Sequence, residues 1–519
     1  MKLLPYFLFI LFISNSFYLY SQDNYLNKVF YINDNTSLQA YDFTKSYDAE
    51  FLLTGRYLND GLLIKFNEEL DISWSKSVAL EGNIVYLNSI SRTMDSNYII
   101  SGSFRNDNNI KKPFLLKLNE SDDIIWSKAY YTSNNTTNIR SLEHCADSGF
   151  IIGGAHHTDQ TRGYLAKIDQ AGNLEWMKSI NIGDPLRPIV YSVKQAEDLG
   201  YYLCGYFWNI DNLTISRGFF MKITSSGEFD WGKEIYYSED DYQLFYSVDF
   251  YQSDNSIYMI MGNYYKTFLG KLNLSGDILW AKSYNIPVPG TTQDGNAAQK
   301  IYRTDDNYLG FVSGEFFGDF LEVNENGEII SSSYLNLKPA SVIKMDNQYL
   351  FIGNGPLLGV KNTSSYKENI GLMKTDEDGN SYCSNSISRN IQDENLIVNS
   401  INANLENIGS SSEIELTISN IEINTREGCV DVIGGFEELN QNQVEIYPNP
   451  ANQIIQIASE NMQNGILKIF AADGKLVKNN RSLSIPNQLD ISDLKNGLYF
   501  YQYETDDNQL FNGKFIVLK

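Results

Sequence analysis

Histidine and cysteine are scarce in this chain, and their scarcity limits its chemistry. The sequence of 519 residues contains three histidines and four cysteines. It has no HExxH or paired CxxC zinc motif and no GxSxG nucleophile elbow. We therefore expect no metal or other cofactor. Four cysteines are also too few for a scaffold built on disulfides, so the fold must depend on its hydrophobic core.

Positive charge and long apolar runs are also in short supply. Lys and Arg number 40 against 64 Asp and Glu, which gives a formal net charge of −24. This balance excludes general nucleic-acid binding, which needs clustered basic residues, and is typical of a soluble exported protein. The one uninterrupted apolar run, Leu3 to Ile13, follows Met1-Lys2 and is too short to span a bilayer comfortably. We interpret residues 1–21 as a signal peptide and expect no transmembrane segment in the mature chain.

Tyrosine and phenylalanine are abundant, with 36 and 28 copies. Aromatic residues favour strands, and the many Asn, Ser and Gly residues favour turns. The composition therefore predicts an all-β protein.

A hairpin with one tryptophan recurs along the chain, for example SGDILWAKSY from Ser275 and SGEFDWGKEI from Ser226. The tryptophans are Trp74, Trp126, Trp176, Trp231 and Trp280, each preceded at a constant spacing by Lys65, Lys117, Lys167, Lys222 or Lys271. Two degenerate copies follow, with Glu322 and Ser331, then Lys374 and Cys383, in the Lys and Trp positions. The repeat of about 50 residues contains four strand-like runs, which is typical of a β-propeller blade.

Seven copies predict a seven-bladed β-propeller over residues 22–383. The run from Leu26 aligns with the fourth strand of a repeat, and the last copy has three strands between about Val342 and Thr375. We expect the N-terminal strand to complete the last blade and leave no open sheet edge. We also expect the Gly-containing turns, such as that at Gly276, to join the third and fourth strands, with the Trp packed between blades.

The loop between the second and third strands varies most, from the short Gly314–Glu322 interval to the long Gly353–Lys374 interval. Variable loops on a constant scaffold are typical of binding surfaces. Trp208, outside the repeat register, and the pair His156 and His157 are therefore candidate ligand-binding residues. Alternatively, Trp208 anchors a loop over a blade edge and the histidines belong to a surface loop.

Residues 384–443 are polar and rich in Asn, and we interpret them as a linker with a short β segment. Cys383 and Cys429 bracket this stretch. They either form a disulfide that ties the segment to the last blade or remain free thiols.

Residues 444–519 carry a set of short motifs in a fixed order. They are Tyr447-Pro448-Asn449-Pro450, Asp473-Gly474-Lys475, Asn496-Gly497-Leu498-Tyr499 and the closing Gly513-Lys514 strand. Their alternating flanks and the Asp-Gly turn predict a small β-sandwich. The motifs resemble the type A C-terminal sorting domain of the type IX secretion system of Bacteroidetes. The resemblance implies recognition by the type IX secretion machinery and its sortase, and a secreted or outer-membrane surface location.

Three functional hypotheses remain. The first is non-catalytic binding or adhesion to an extracellular polysaccharide or protein through the blade loops. The second is a propeller glycoside hydrolase or lyase with paired carboxylates on the axis, which sequence alone does not test. The third is a structural surface protein. Since no catalytic motif is present, we favour binding.

Overall fold

The computed structural model describes the chain from residue 27 to residue 519 with internal gaps. The gaps are residues 33–36, 133–135, 158–159, 213–215, 238–245, 254, 263–266, 285–297, 306–307, 314–317, 336, 346–347, 355–368, 377–380, 382–383, 387–390, 395, 428–444, 459–464, 472–474, 484–486 and 506–509. The signal peptide, Cys383, Cys429, Asp473 and Gly474 lie outside the described residues. The chain divides into two compact units, residues 1–430 and 431–519.

The first unit contains 28 strands that follow the repeats. They are β1 (Asn27–Tyr31), β2 (Leu38–Lys45), β3 (Phe51–Tyr57), β4 (Asp60–Phe66), β5 (Ile72–Ala79), β6 (Ile84–Arg92), β7 (Tyr98–Arg105), β8 (Lys111–Leu118), β9 (Ile124–Tyr131), β10 (Thr136–His144), β11 (Phe150–His157), β12 (Thr161–Ile168), β13 (Leu174–Asn181), β14 (Leu186–Gln195), β15 (Tyr201–Asn209), β16 (Ser216–Ile223), β17 (Phe229–Tyr236), β18 (Tyr246–Gln252), β19 (Ile257–Gly262), β20 (Thr267–Leu272), β21 (Ile278–Tyr284), β22 (Ala298–Asp305), β23 (Tyr308–Ser313), β24 (Gly318–Asn324), β25 (Ile329–Leu335), β26 (Lys338–Met345), β27 (Gln348–Asn354) and β28 (Ile370–Thr375).

These strands form antiparallel sheets of consecutive strands, which confirms the all-β prediction. Each of the first six sheets contains four consecutive strands. They are β2–β5 in sheet 1, β6–β9 in sheet 2, β10–β13 in sheet 3, β14–β17 in sheet 4, β18–β21 in sheet 5 and β22–β25 in sheet 6. Sheet 7 contains β26, β27 and β28, and the N-terminal strand β1 pairs with β28, so that Asn27 lies opposite Met373. The N-terminal strand β1 and strand β28, which are far apart in sequence, are therefore hydrogen-bonded neighbours in one sheet.

Each sheet packs against the next, and sheet 7 packs against sheet 1 through β2, β26 and β27. The buried apolar residues divide accordingly into clusters between neighbouring sheets. One lies between sheets 1 and 2 around Leu52, Leu87 and Phe114, and another lies between sheets 7 and 1 around Phe30, Phe51 and Leu350. Hydrophobic burial between faces, at about 25 cal/mol per Å², therefore stabilises the contacts between sheets.

The Gly-containing turns explain the repeated tryptophan. Gly276, at φ +80°, joins β20 to β21, and the ring of Trp231 from the preceding sheet lies against it. Trp126 and Trp176 contact Gly172 and Gly227 in the same way. We call this end of the sheets the turn end, and the opposite end, which carries the connections between second and third strands, the loop end.

The repeated lysine is also structural. At the turn end, the Lys that precedes each of the first four repeat tryptophans pairs with an Asp in the turn between the first and second strands of its own sheet. The pairs are Lys65–Asp48 at 2.6 Å, Lys117–Asp95 at 2.6 Å, Lys167–Asp147 at 2.7 Å and Lys222–Asp198. The lysine side chains are largely buried, so these pairs satisfy charges that the packing of the sheets withdraws from water.

The described residues of segment 384–427 add one edge strand to each of these sheets, and we call this segment the belt. Its strands are β29 (Ser384–Ser386), β30 (Ile391–Asp393), β31 (Ile397–Ile401), β32 (Asn404–Asn407), β33 (Ser410–Glu413), β34 (Thr417–Asn420) and β35 (Asn424–Glu427). In that order they pair antiparallel with the outer strands of sheets 6, 5, 4, 3, 2, 1 and 7. Each of the seven sheets of the first unit therefore has five strands.

The belt differs from the predicted polar linker with one short β segment. The belt strands have three to five residues, and β30, β32, β33 and β34 are exposed at most of their positions, so they lack the alternation that marks a half-buried strand. The belt strands are stabilised by backbone hydrogen bonds to sheet strands that are far away in sequence. Apolar residues between and within the belt strands, such as Leu416 and Ile418, also pack onto the inter-sheet clusters.

The second unit has two sheets. Its strands are β36 (Glu445–Tyr447), β37 (Ile454–Ala458), β38 (Gly465–Ala471), β39 (Leu476–Leu483), β40 (Asn487–Asp490), β41 (Gly497–Thr505) and β42 (Leu510–Val517). One sheet has the order β36-β37-β40, and the other β39-β38-β41-β42. Ile455, Leu489, Tyr503 and Phe515 belong to one buried cluster that holds side chains from both sheets.

Candidate functional site

Basic residues from three sheets gather at the loop end. Arg56 is the penultimate residue of sheet 1's second strand, Lys111 begins sheet 2's third strand, and both reach Tyr86 of sheet 2. The Arg56 guanidinium carbon lies 4.6 Å from the centre of the Tyr86 ring, and the Lys111 Nζ lies 4.9 Å from it. Two cations thus share one aromatic ring. Arg105 lies opposite Lys111 in the β7–β8 ladder, and Arg140 comes from sheet 3.

We call Arg56, Arg105, Lys111 and Arg140 the basic cluster. Burial lowers the pKa of Lys111, and the charges of Arg140, Arg105 and Arg56 lower it further. Within the described part of the chain, no carboxylate forms a salt bridge with any of the four. In a protein of net charge −24, these four basic residues, which have no salt-bridge partner in the described part of the chain, are a local concentration of positive charge.

An aromatic ladder continues from the basic cluster into sheet 4. Arg140 lies 4.3 Å from the centre of the Tyr191 ring, Tyr191 and Tyr206 are 5.6 Å apart, and Tyr206 and Trp208 are 5.9 Å apart. Arg140 and Tyr191 are the extra residues of β-bulges in the first strands of their sheets. A β-bulge changes the direction of the side chain of its extra residue, and this accounts for the contact between Arg140 and Tyr191. Trp208 therefore lies at the end of β15 as one part of this partly exposed ladder.

Sheet 4 contains a cation over a tyrosine ring that, unlike the basic cluster, has a carboxylate partner within the described residues. Arg217 lies 3.8 Å from the Tyr236 ring centre and forms a salt bridge of 3.0 Å with Glu234. In sheet 2, Lys112 Nζ lies 4.0 Å from the centre of the Tyr131 ring in the same arrangement. The position that Glu234 has in sheet 4 is occupied in sheet 2 by Ala129. The internal counter-ion is absent from this position of sheet 2.

His156 and His157 end β11 rather than lying in a loop beyond it. His156 is 4% exposed, and one ring nitrogen is 2.8 Å from Ser179 Oγ. His157 lies 2.8 Å from Thr161 Oγ1 and 3.1 Å from Asn138 Nδ2 through its two nitrogens. Burial lowers the pKa of His156 to about 4, and burial followed by the Arg140 charge lowers that of His157. The pair is neutral at pH 7, and among the described residues no cluster of possible metal ligands is found.

The first strands of the sheets carry two aspartates next to their bulges. Asp42 Oδ2 accepts hydrogen bonds from Ser89 Oγ at 2.7 Å and from the Ile90 N–H at 3.3 Å. Asp249 accepts from Ser192 Oγ at 2.7 Å and from the Ile301 N–H at 3.2 Å. Each carboxylate thus links its sheet to a neighbouring one. Lys300 Nζ lies 3.4 Å from Asp42 Oδ1, so the interactions around Asp42 include a cation as well.

Glu143 is the carboxyl group in this region with a perturbed titration. Burial raises its pKa, Lys194 opposes the rise, and the Asp249 carboxylate adds to it. A raised pKa brings a carboxyl group closer to the range in which general acids work.

In the second unit, the sequence motifs hold the C-terminal strand. The side-chain oxygen of Asn449 accepts the Ile516 N–H at 2.9 Å, and that of Asn496 accepts the Lys519 N–H at 2.8 Å. Gly497, Leu498 and Tyr499 form the start of β41, and Gly513 and Lys514 lie in β42, which pairs with it. Lys475 is exposed just before β39. Motifs distant in sequence therefore meet around one strand.

Residues 445–518 match the family model described as "Secretion system C-terminal sorting domain". Residues 445–518 form a type IX secretion sorting domain. This sorting domain indicates export to the cell surface or the medium and interaction with the secretion machinery, and a propeller-like repeat region precedes it. In the described residues, no helix has the length and apolar character needed to cross a membrane.

The chain is also similar to solved structures at low identity. A catalytically inactive virginiamycin B lyase from Staphylococcus aureus is 14% identical, with a TM-score of 0.42, and the match covers 67% of this chain and 98% of that one. BamB from Moraxella catarrhalis is 10% identical, with a TM-score of 0.34 and coverage of 65% and 83%. Both are too distant to indicate an activity. No curated protein matches the chain.

Sequence reasoning missed the basic cluster. The signal available was small: Arg56, Arg105 and Arg140 lie outside the Lys–Trp register of the repeat, in a chain where basic residues are the minority. Their proximity depends on contacts between sheets 1, 2 and 3, which no local pattern encodes.

Proposed function

We propose that the protein is an exported, non-catalytic binding protein that engages an extracellular polysaccharide or protein through its loop end. The basic cluster and the aromatic ladder support this proposal, because they present charge and flat apolar surface together. In this proposal residues 22–383 and the belt form a closed seven-bladed β-propeller. Residues 444–519 form a β-sandwich that is a sorting domain of type A. Residues 1–21 act as a signal peptide in a Bacteroidetes host.

Export is tested in a host with a type IX system by comparing the full chain with a chain that lacks residues 444–519. The full chain should appear outside the cell, and the truncated chain should remain in the periplasm. Asn449→Ala, which removes the acceptor for the Ile516 N–H, should lower the exported fraction, whereas Asn449→Asp retains an acceptor and is the matched control. Equal export of the truncated chain would contradict the sorting role.

Binding is tested with the purified full chain against extracellular polysaccharides and surface proteins from the same host community. Retention that Trp208→Ala weakens and Trp208→Phe largely preserves would support the loop end as the binding surface. Failure to bind any polysaccharide or protein would favour a structural surface protein instead.

A second candidate function is a glycoside hydrolase or lyase, which the raised pKa of Glu143 favours. Its test is the release of reducing ends from polysaccharides that the protein binds. Activity that Glu143→Gln abolishes while binding persists would establish catalysis. Binding without turnover in the native chain would exclude it for those polymers.

A further inference from the structure

We propose that the loop end binds an anionic polysaccharide, whose carboxylate or sulfate groups pair with Arg56, Lys111 and Arg140 while its sugar rings stack on Tyr86 and Tyr191. This inference rests on the proposed binding function and names the class of ligand. Carboxylates and sulfates share the chemistry that guanidinium and ammonium groups recognise.

Among the described residues, Arg56 and Lys111 lack the kind of counter-ion that Arg217 has. Arg217 over Tyr236 has Glu234 as its partner, whereas Arg56 and Lys111 share the Tyr86 ring with no carboxylate partner among the described residues. Both cationic side chains are half-buried, so water screens them only in part. An anion in contact with this pair would relieve their mutual repulsion.

Positive charge and aromatic surface are spaced across neighbouring sheets. Tyr86 lies in sheet 2, Arg140 in sheet 3 and Tyr191 in sheet 4, so the site runs across several neighbouring sheets. Such a track matches an extended polymer that alternates anionic groups with flat rings better than it matches one small anion. Aromatic rings bury the apolar faces of sugars while their edges and neighbours remain wet.

The basic cluster contrasts with the acidic composition of the whole protein. With a net charge of −24, the protein repels a polyanion everywhere except where positive charge is concentrated. The net charge of the whole molecule therefore opposes association with a polyanion. Binding of a polyanion requires local pairing of its anionic groups with the basic cluster.

The experiment measures binding of the full chain by isothermal titration at low ionic strength to two matched pairs of polymers. Polygalacturonate is compared with its fully methyl-esterified form, and dextran sulfate with dextran. We expect binding to at least one charged polymer and no binding to its neutral counterpart. The two pairs distinguish a carboxylate ligand from a sulfate ligand.

Variants locate the site. Arg140→Gln and Lys111→Gln should each weaken binding by about tenfold, the usual effect of losing one charge-assisted contact. Lys45→Gln removes the same charge from a partly exposed residue of sheet 1 near the turn end, 3.8 Å from Glu68, and should leave affinity unchanged. Tyr191→Ala should weaken binding and Tyr191→Phe should not, because the phenyl ring keeps the stacking surface.

Three results would overturn the inference. They are binding of the neutral polymers as tightly as the charged ones, binding of none of the four polymers, and binding that Arg140→Gln and Lys111→Gln leave unchanged. In the first case the proposed binding function stands with a different ligand class. In the second, the search of polysaccharides and surface proteins described above decides separately whether the binding function fails too.

Discussion

Trp231 lies against Gly276 of the next sheet so closely that a Cβ at position 276 would be 2.6 Å from the Cζ3 atom of the indole. Gly276 also has a φ of +80°, a conformation that residues with a Cβ rarely adopt. The same contact recurs between Trp280 and Gly327. It joins the turn end of one sheet to the face of its neighbour.

Gly276→Ala should lower the free energy of unfolding through both strain and overpacking. The control is Gly82→Ala, because Gly82 has a similar φ of +69° with nothing within 4 Å of the added Cβ. We expect Gly276→Ala to be more destabilising than the control by about 1–3 kcal/mol, the range for overpacking in a filled site. Urea denaturation measures both. Equal losses would show that the indole moves aside without cost.

Asp95→Asn should destabilise the protein at pH 7 by about 1–3 kcal/mol, because it leaves the Lys117 ammonium, 5% exposed, without its carboxylate. Asp48→Asn is the control and should cost less, since Lys65 keeps Glu50 at 3.6 Å. Thermal unfolding of both variants makes the comparison. A larger loss for Asp48→Asn would contradict this account of the pairs.

The Asp95 contribution should also depend on pH. Burial alone would raise the pKa of Asp95, but hydrogen bonds from Lys117 and Thr93 outweigh it and hold the pKa well below its usual range. A carboxyl with a depressed pKa adds stability that is full above its ordinary pKa of about 4 and is lost as the pH falls below that value. The stability difference between native protein and Asp95→Asn should therefore shrink between about pH 4 and pH 2.

His156 should remain neutral far into the acid range. Since burial lowers its pKa to about 4, the unfolded chain binds a proton more readily than the folded one between that value and the ordinary histidine pKa of about 6.5. Stability should thus decline as the pH falls through this interval. With three histidines in the chain, proton NMR can follow each ring. A His156 midpoint near 6.5 would show that the ring is open to water.

Removal of the belt should be far more damaging than removal of the sorting domain. A chain that ends at residue 430 keeps all five strands of every sheet of the first unit, and we expect it to unfold at the same denaturant concentration as the first unit of the full chain. A chain that ends at residue 383 exposes the outer edge of every sheet, and open edges promote aggregation. Light scattering and size-exclusion chromatography compare the two. A soluble, monomeric 383-residue chain would show that the belt is dispensable.

The sequence by itself determined the features that depend on local pattern. The strand and turn composition predicted an all-β chain, and the Gly-containing turns and the tryptophan register predicted where strands meet. The ordered motifs after Val444 predicted the sorting domain. These features are readable because each is encoded within a few residues: a turn needs a glycine at positive φ, and a buried strand needs apolar side chains at fixed intervals.

Only the tertiary structure decided the belt and the basic cluster. Belt strands such as β33 (Ser410–Glu413) are short and polar, and they are ordered by backbone bonds to edges far away in sequence, so their own residues carry no strand signal. Arg56, Lys111 and Arg140 belong to three repeats, and their shared aromatic surface exists only because neighbouring sheets pack side by side. Both depend on long-range contacts, which are set by the packing of the whole unit rather than by the preference of any segment.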